Sequence, residues 1–300
     1  MKILVTGGTG FLGKAVSKRL IDIGYNVTTL DNQFTSRNTV KNAEFVSGSV
    51  TNINLVEKLV RNTDFVFHLA GILGTNETLD IIQQTNEVNI NGTVNVLQAC
   101  SKYKVPMVFT SKPNPPGFLN PYTITKEASE KYCMMFHEMY DTTVAVPKIM
   151  YLFGQEQLPY PIANYKKYIP TFVMAALRNE PITIYGSGNQ IIDPIYIDEA
   201  AEVMIKIMDD LITDKKTNGK MFDVGTGIGI SVNEIVKIIK KLTGSKSKVV
   251  HVQMRHGEPE SSMVVADLTS NLIDQKKHYN FYKALQKTIE FYKENYDVVQ

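Results

Sequence analysis

The residues Thr6-Gly7-Gly8-Thr9-Gly10-Phe11-Leu12-Gly13 lie between a short apolar run and an amphipathic helical pattern. Glycines at positions 7, 10 and 13 let the chain turn tightly, let a pyrophosphate approach backbone N–H groups and let the helix pack closely on the strand. An anion at this helix start is stabilised by the free N–H groups and by the helix dipole. The segment therefore predicts a strand-turn-helix unit that binds a dinucleotide.

An acidic residue ends the second predicted strand. Asp31 follows Gly13 by 18 residues, a position where a carboxylate accepts hydrogen bonds from the adenosine ribose and repels a 2′-phosphate. This placement predicts NAD rather than NADP as the cofactor. The alternatives are that Asp31 only begins a turn, and that the nearby cation Arg37 weakens this preference.

Short β-branched runs alternate with amphipathic helical patterns along the first half of the chain, as expected for a parallel sheet with crossover helices. The predicted strands are Lys2–Thr6, Asn26–Leu30, Ala43–Val46, Phe65–Leu69, Pro106–Thr110 and Thr143–Ile149. The predicted helices are Leu12–Ile23, Ile53–Arg61, Asn86–Tyr103 and Tyr122–Tyr140. This order predicts an α/β fold, with a doubly wound parallel (Rossmann) sheet and a smaller C-terminal α/β substrate-binding region. We expect residues 1–155 to form the NAD-binding domain, with a return segment near 190–202, and residues 156–300 to form mostly the substrate-binding region.

The composition excludes several classes of protein. The 300 residues contain 32 Lys and Arg against 30 Asp and Glu, a net charge of +2, so we expect neither nucleic acid nor a membrane surface as a partner. Cys100 and Cys133 are too few for a disulfide framework, and the five histidines show no metal-ligand spacing, so no metal is expected. Met1 and Lys2 lead directly into an apolar run, so we expect no signal peptide. We expect a soluble, cytoplasmic protein.

Tyr122 and Lys126 begin a predicted helix after Asn120-Pro121, so their functional groups lie one turn apart on one face. A lysine ammonium beside a phenol, together with a positive nicotinamide, favours the phenolate and lowers a pKa that is ~10 when unperturbed. Tyr122 is then a candidate general base toward a hydroxyl, and Lys126 also a candidate ligand of the nicotinamide ribose. The plain alternative is a helical Tyr/Lys pair without chemistry. The position of Tyr122 and Lys126 after the fifth strand of a dinucleotide fold favours the catalytic interpretation.

On these and further motifs the chain resembles the extended short-chain dehydrogenase/reductase family, specifically its nucleotide-sugar epimerases and dehydratases of the UDP-galactose 4-epimerase-like group. The further motifs are Phe67-His68-Leu69-Ala70-Gly71, Asn89-x-x-Gly92-Thr93, Gly186-Ser187-Gly188-Asn189-Gln190, Asp193-Pro194-Ile195-Tyr196-Ile197-Asp198-Glu199 and Arg255-His256-Gly257-Glu258. The likeness runs nearly end to end. It implies a tightly held NAD that oxidises a sugar hydroxyl, usually at carbon 4, and returns the hydride after the ketone has been rotated, dehydrated or epimerised. It also implies a nucleotide-sugar substrate and a homodimer.

The resemblance assigns roles to individual residues. The implied catalytic residues are Tyr122 as base, Lys126 as its partner, and Ser111. The implied cofactor-binding residues are Gly7, Gly10, Phe11, Leu12, Gly13, Asp31, Asn32, Ser49, Val50, Leu69, Ala70, Gly71, Asn89, Tyr122 and Lys126. The implied substrate-binding residues are Lys112, Tyr151, Arg255 and Glu258. Arg255 would contact a diphosphate and Glu258 a ribose hydroxyl, although an ordinary surface cation is an equal alternative for Arg255.

The segment after the fifth strand departs from the family's pattern. The simplest alignment places Lys112 where a catalytic Ser or Thr hydroxyl is usual, and a shift of one residue restores Ser111. We take Ser111 as the candidate, with Lys112 and Thr110 as rivals. Pro113 and Asn114 stand where retaining 4,6-dehydratases usually carry an Asp-Glu pair, which argues against that dehydration mechanism because it needs an acid and a base.

Two substrate positions are also altered. Tyr151 replaces a usual Asn, and Ile192 replaces a usual Arg that pairs with diphosphate. Losing such a charge-assisted contact costs ~1.5–3 kcal/mol if nothing replaces it. Lys166, Lys167 or Arg178 could replace it, or the substrate lacks a nucleoside diphosphate.

Three functions follow from the sequence. The leading hypothesis is an NAD-dependent nucleotide-sugar epimerase that transiently oxidises a hydroxyl of an NDP-hexose. The second is net oxidoreduction or dehydration of a sugar. The third is a catalytically reduced dinucleotide-binding sensor or scaffold, and the presence of both Tyr122 and Lys126 favours an enzyme over it.

Overall fold

A computed structural model describes residues 1–35, 38–159, 165–260, 262–268, 272–275 and 280–295 of the chain. Its strands are β1 (Lys2–Thr6), β2 (Asn26–Asp31), β3 (Glu44–Ser47), β4 (Phe65–His68), β5 (Met107–Phe109), β6 (Val144–Ile149), β7 (Tyr151–Phe153), β8 (Ile182–Tyr185), β9 (Ile191–Ile192), β10 (Pro194–Tyr196), β11 (Lys220–Val224), β12 (Ile230–Ser231), β13 (Val249–Val252) and β14 (Met263–Val264). Its α-helices are α1 (Phe11–Asp22), α2 (Ile53–Val60), α3 (Ile82–Asn86), α4 (Gly92–Tyr103), α5 (Pro121–Tyr140), α6 (Tyr168–Arg178), α7 (Ile197–Ile212), α8 (Val232–Thr243) and α9 (Phe281–Glu294).

Seven parallel strands form the largest sheet of these ranges, in the spatial order β3-β2-β1-β4-β5-β6-β11. The inner strand β1 presents Ile3 and Val5 to one core, shared with α1 and α7, and Leu4 to another, shared with α2, α4 and α5. All three side chains are at most 1% exposed. An apolar run buried on both faces is typical of an inner parallel strand. The doubly wound sheet predicted from the sequence is therefore confirmed.

The six predicted strands are present, with ends that differ by at most one residue from those observed. The seventh strand, β11, is missing from the sequence prediction. It lies at the edge of the sheet, where Lys220 and Met221 are exposed and only Phe222 and Val224 are buried. An edge strand that is half exposed lacks the continuous apolar run by which the inner strands are recognised.

The predicted helix Asn86–Tyr103 is interrupted in the structure. A π-helical turn, Glu87–Asn91, separates α3 from α4. The carbonyl of Asn89 accepts hydrogen bonds from the hydroxyls of Thr93, at 2.6 Å, and Ser129, at 2.8 Å. These bonds satisfy a carbonyl that the wider turn releases, and such turns often occur at functional sites.

A second apolar core lies beside the large sheet. Helices α6, α8 and α9 form it, with Phe172, Val236 and Leu285 buried between them. The chain between these helices returns to the large sheet, because α7 packs on α1 and β11 pairs with β6. The boundary at residue 155 and the limits of the return segment remain predictions. Within the described ranges, no helix combines the length and apolar character needed to cross a bilayer.

Candidate active site

The glycine loop lies at the carboxyl end of β1, next to the ends of β2 and β4. Gly7 has a φ of +70°, and a Cβ there would lie 2.7 Å from the backbone N of Ala70. A Cβ at Gly13 would lie 2.1 Å from the carbonyl oxygen of Gly7. Helix α1 begins directly after Gly10, so its first N–H groups face the loop. The loop thus forms a cradle for an anion that side chains at these positions would fill.

Asp31 stands at the end of β2 and braces this loop. Its Oδ2 accepts a hydrogen bond from the Thr9 N–H at 3.0 Å, and its Oδ1 accepts one from the Gln33 N–H at 2.7 Å. A carboxylate has lone pairs beyond these two bonds, so it can still accept from ribose hydroxyls. Asn32 follows it, with its side-chain oxygen bonded to the Phe34 N–H at 3.1 Å. Arg37 lies outside the described residues.

One continuous cavity brings together almost every site residue predicted from the sequence. The predicted residues that line it are Gly7, Gly10, Phe11, Leu12, Gly13, Asp31, Asn32, Ser49, Val50, Leu69, Ala70, Gly71, Ser111, Lys112, Tyr122, Lys126, Tyr151, Arg255 and Glu258. The cavity also takes in the second region through Lys166, Lys167 and Tyr185. Cofactor and substrate candidates therefore share one space.

Asn89 is the exception, because it lies behind the cavity wall. Its side chain bonds to the N–H of Ile72 at 2.7 Å and to the carbonyl of Ile72 at 3.0 Å, and also donates to Thr125 Oγ1 at 3.0 Å. Ile72 itself lines the cavity. Asn89 thus shapes the wall through Ile72, and its direct contact with a cofactor remains a prediction.

His68 is a packed residue of the sheet. Its Nδ1 lies 2.8 Å from Thr6 Oγ1 and its Nε2 lies 2.9 Å from Thr93 Oγ1. Complete burial lowers the pKa of His68 to about 3, with a smaller effect of the same sign from Lys126. The imidazole is therefore neutral, and it holds β1, β4 and α4 together, as expected for a structural histidine.

Tyr122 and Lys126 lie on the first turns of α5, which Asn120 caps by accepting from the Thr123 N–H at 2.9 Å. Lys126 Nζ donates to the carbonyl of Thr110 at 2.8 Å, which fixes the ammonium beside the cavity. Tyr122 is 9% exposed and Lys126 is 5% exposed. The helix therefore delivers both groups to the cavity with little solvent around them.

Burial opposes the charge of both groups. It raises the pKa of the Tyr122 phenol, and it lowers the pKa of Lys126 to about 8. The carboxylate of Glu130 partly offsets the effect on Lys126. In the free protein Tyr122 is therefore a neutral phenol near pH 7, and cations beside its oxygen are needed to favour the phenolate.

Ser111 lines the cavity, but its hydroxyl is engaged. Its Oγ donates to Glu130 Oε1 at 2.5 Å. Glu130 also accepts from Asn114 Nδ2 at 3.2 Å and forms an ion pair with Lys148 at 3.3 Å. The catalytic role of Ser111 remains a prediction.

Lys112 reaches the cavity next to Tyr122. Its Nζ donates to the carbonyl of Pro113 at 2.8 Å and to Asn114 Oδ1 at 2.9 Å. The same atom lies 5.8 Å from the ring centroid of Tyr122 and 5.4 Å from that of Phe118. Burial lowers the pKa of Lys112 to about 8, with carboxylates at longer range partly offsetting the shift. Lys112 therefore lies beside Tyr122 at the cavity.

Arg255 is held between two carboxylates, so it is not an ordinary surface cation. Its guanidinium lies 2.6 Å from Glu77 Oε1 and 3.6 Å from Glu258 Oε1. Thr75 Oγ1 donates to the same oxygen of Glu258. The sequence analysis misses Thr75 and Glu77, because no local motif marks them. Their position shortly after β4, at the carboxyl edge where such sheets bind ligands, is the signal that would have indicated them.

The altered positions Tyr151 and Ile192 both border the cavity. Ile192 is 1% exposed and packs in the second core, so it supplies no charge to a ligand. Two cations directly before α6 line the cavity instead: Lys166, whose Nζ donates to the Tyr185 hydroxyl at 3.0 Å, and Lys167. They are candidates to replace the diphosphate-binding Arg for which Ile192 is substituted.

Comparison with known proteins agrees with this geometry. The model of the NAD dependent epimerase/dehydratase family matches residues 3–225. The chain is 28% identical, over 323 residues, to the UDP-N-acetyl-alpha-D-glucosaminuronate decarboxylase of Bacillus cytotoxicus, with 98% of each chain covered. It is 24% identical, over 327 residues, to the UDP-glucuronate 4-epimerase of Thermodesulfobacterium geofontis, covering 99% of this chain and 98% of the other. The crystal structure of the UDP-glucose 4-epimerase of Thermotoga maritima with UDP-glucose superposes with a TM-score of 0.89, at 27% identity, covering 99% of this chain and all of the other.

The chain therefore belongs to the NAD dependent epimerase/dehydratase family. It is an NAD-dependent enzyme of the extended short-chain dehydrogenase/reductase type, and the resemblance drawn from its motifs is confirmed. The residues present fit NAD, because Gly7 and Gly13 leave open a cradle that a Cβ would fill and Asp31 offers a carboxylate for the ribose.

Proposed function

We propose that this enzyme transiently oxidises a hydroxyl at carbon 4 of a nucleotide-linked hexose and acts as an epimerase. The observation that carries the proposal is the placement of Tyr122 and Lys126 in the same cavity as the dinucleotide loop. When bound, NAD supplies the acceptor for the hydride that leaves the sugar carbon. The remaining chemistry is the movement of one proton, which falls to the chain's own residues.

Tyr122 takes the proton from the sugar hydroxyl and later returns it. The form that accepts this proton is the Tyr122 phenolate, which becomes a neutral phenol; Lys126, as an ammonium held in place by the Thr110 carbonyl, stabilises that phenolate before the transfer. The low exposure of both groups excludes water, so the attraction between the two charges is stronger than it would be in solvent. Proton transfer by a positioned side chain accounts for about 100- to 10,000-fold in rate.

The loop after β5 favours epimerisation over dehydration. Residues 112–121 contain no Asp or Glu, so the loop supplies neither of the two carboxylates that act as acid and base in the retaining 4,6-dehydratases. The amide of Asn114 is already bonded to Lys112 and Glu130. The relatives named as 4-epimerases also support this choice, and the relative named as a decarboxylase makes product analysis essential.

The test is to incubate the purified protein and NAD with UDP-linked and GDP-linked hexoses and hexuronates, following products by NMR and transient NADH by absorbance. We expect an epimer to form. Tyr122→Phe should lower turnover about 100- to 10,000-fold, because it removes the proton carrier. Tyr282→Phe, on the exposed side of α9, is the matched control and should leave turnover unchanged.

Each other outcome identifies a different function. Absence of both conversion and transient NADH with every sugar would contradict the proposal and favour a protein that only binds the dinucleotide. A product lighter by water or by carbon dioxide would identify a dehydratase or a decarboxylase. Net accumulation of NADH would identify an oxidoreductase.

We also propose that the enzyme is a homodimer joined through α5. Four apolar residues of this helix lie within one face and are exposed by 36% or more: Ile124, Tyr132, Met135 and Met139. An apolar stripe of this kind on a surface helix indicates a protein contact. Sedimentation should give twice the chain mass of 33.7 kDa, and Met139→Lys should shift the protein toward a monomer. A wild-type monomer would contradict the dimer.

A further inference from the structure

Lys112 is a half-buried cation that lines the cavity and has no carboxylate within hydrogen-bond distance among the residues that the structure describes. Its hydrogen bonds go to two neutral oxygens, those of Pro113 and Asn114. The carboxylates of Glu127 and Glu130 act on it only at longer range. Taking an ammonium partly out of water and bonding it only to neutral groups costs free energy, which an anion beside it would offset.

The ammonium of Lys112 is fixed and has a donor to spare. Its partner Asn114 is itself held, because Asn114 Nδ2 donates to Glu130 Oε1 at 3.2 Å. An ammonium has three N–H donors, and these contacts use two. Lys112 lines the cavity beside Tyr122, so the third donor is available to a ligand at the reacting end of the cavity.

A second group of cations lies toward the other region. Lys166 donates to the Tyr185 hydroxyl, and the Arg255 guanidinium lies 5.6 Å from the Tyr185 ring centroid. Burial lowers the pKa of Lys167, and the positive charge of Arg255 nearby lowers it further. This group suits the diphosphate of a nucleotide sugar, because charge-assisted bonds to phosphate need several donors. The cavity thus offers one cationic group for a diphosphate and a separate cation at the tyrosine.

We propose that the sugar carries a carboxylate on the ring carbon next to the one that is oxidised, as in a hexuronic acid, and that Lys112 binds this carboxylate. This inference rests on the proposed function. In the proposed reaction Tyr122 marks the reacting hydroxyl, and Lys112 Nζ lies 5.8 Å from the Tyr122 ring centroid, so a substituent on a ring carbon next to the reacting one would lie within reach of Lys112. A neutral hexose carries an alcohol there, which would leave the ammonium uncompensated. The names of two relatives, which act on a glucosaminuronate and a glucuronate, support this substrate class.

Binding to the NAD-loaded Tyr122→Phe protein, measured by calorimetry, tests the inference without turnover. The probes are UDP-glucuronate against UDP-glucose, and glucuronic acid 1-phosphate against glucose 1-phosphate. We expect the acidic member of each pair to bind about 10- to 100-fold more tightly, the range for one hydrogen bond between charged groups. Adding Lys112→Met should remove this preference and leave the affinity for the neutral sugar unchanged. Lys112→Arg keeps the charge and should keep the preference.

Lys237→Met is the matched control for net charge, since Lys237 lies exposed on α8, and it should leave the preference intact. Equal affinity for both members of each pair would overturn the inference, as would a preference that persists in Lys112→Met. An equal loss for both members would overturn it too, because Lys112 would then bind the shared phosphate. A preference for the uronate in the Tyr122→Phe protein, together with no turnover by the wild-type protein, would contradict only the proposed function. Failure of both pairs to bind would contradict both.

Discussion

The cofactor side and the substrate side of the cavity are built from different kinds of contact. On the cofactor side the decisive groups are glycines and backbone N–H groups, as at Gly7 and Gly13, with the Asp31 carboxylate bracing the loop and the neutral His68 packed in the sheet. On the substrate side they are charges: Lys112 without a carboxylate partner in the described chain, and Arg255 between Glu77 and Glu258.

This difference determines which residues can be substituted on each side of the cavity. A Cβ at either glycine would collide with backbone, so the cofactor side admits little change while NAD remains the cofactor. A charged side chain can be replaced without moving the backbone, so the substrate side can be altered for another sugar. The departures from the family pattern lie mainly on the second side, at Lys112, Tyr151 and Ile192, and the first side shows a milder one at Ser49, where an Asp is usual.

The largest expected effect tests the rigidity of the cofactor side. Gly13→Ala places a Cβ 2.1 Å from the Gly7 carbonyl oxygen, and neither backbone can move freely. We expect the free energy of unfolding to fall by about 3 kcal/mol, the upper end for overpacking, and NAD binding to weaken about 100-fold. Urea unfolding and NAD titration measure the two effects.

Two further variants sharpen this comparison. Gly10→Ala should be milder, because a Cβ there meets only the Gly7 oxygen, at 3.1 Å. Lys112→Met, on the substrate side, should leave NAD affinity within about twofold of wild type, since it moves no backbone of the loop. If Gly13→Ala bound NAD as wild type does, the two sides would not differ in the way described.

The cofactor side could be predicted from the sequence because its parts are local. The glycine spacing and Asp31 lie within one strand-turn-helix-strand unit, and each glycine is required by a backbone approach within that unit or by the strand beside it. The pair of Tyr122 and Lys126 is local as well, since one helical turn fixes their separation. The structure confirms that these groups share one cavity.

The substrate side could not be predicted in the same way. Arg255 and Glu77 are 178 residues apart in sequence, and Thr75 and Glu258 are 183 apart, so no motif relates them. Ser111 and Lys112 show a second limit. Successive side chains of extended backbone point to opposite sides, so a one-residue change of register decides which of the two reaches Tyr122. Only the fold shows Ser111 turned to Glu130 and Lys112 set beside the tyrosine.

A smaller effect tests the charge that the cofactor side does use. Asp31→Asn keeps a side-chain oxygen for the Gln33 N–H and removes the negative charge that opposes a 2′-phosphate. We expect the preference for NAD over NADP to fall about 10- to 30-fold, as for one like-charge contact near a surface. The measurement is the ratio of the two dissociation constants. Asn32→Ala, which changes no charge, should leave the ratio unaltered, and an unchanged ratio in Asp31→Asn would assign the preference to other residues.

The smallest expected effect concerns pH and the neutral histidine of the cofactor side. Burial holds the pKa of His68 near 3, whereas an unfolded histidine has a pKa of about 6.5. Between these values the unfolded chain binds a proton that the folded chain does not, so stability falls as the pH falls. The loss should be on the order of 1 kcal/mol per pH unit below about 6.

Urea unfolding at several pH values between about 6.5 and 5 measures this slope. His68→Gln keeps a hydrogen-bonding side chain between Thr6 and Thr93 but does not titrate, so its stability should depend less on pH by that amount. His251→Gln is the control, because His251 is exposed on β13 and should leave the slope unchanged. Equal slopes in wild type and His68→Gln would mean that carboxylates, and therefore charges elsewhere in the molecule, set the acid sensitivity. The contrast between a cofactor side that depends on backbone contacts and a substrate side that depends on charges would then not extend to stability.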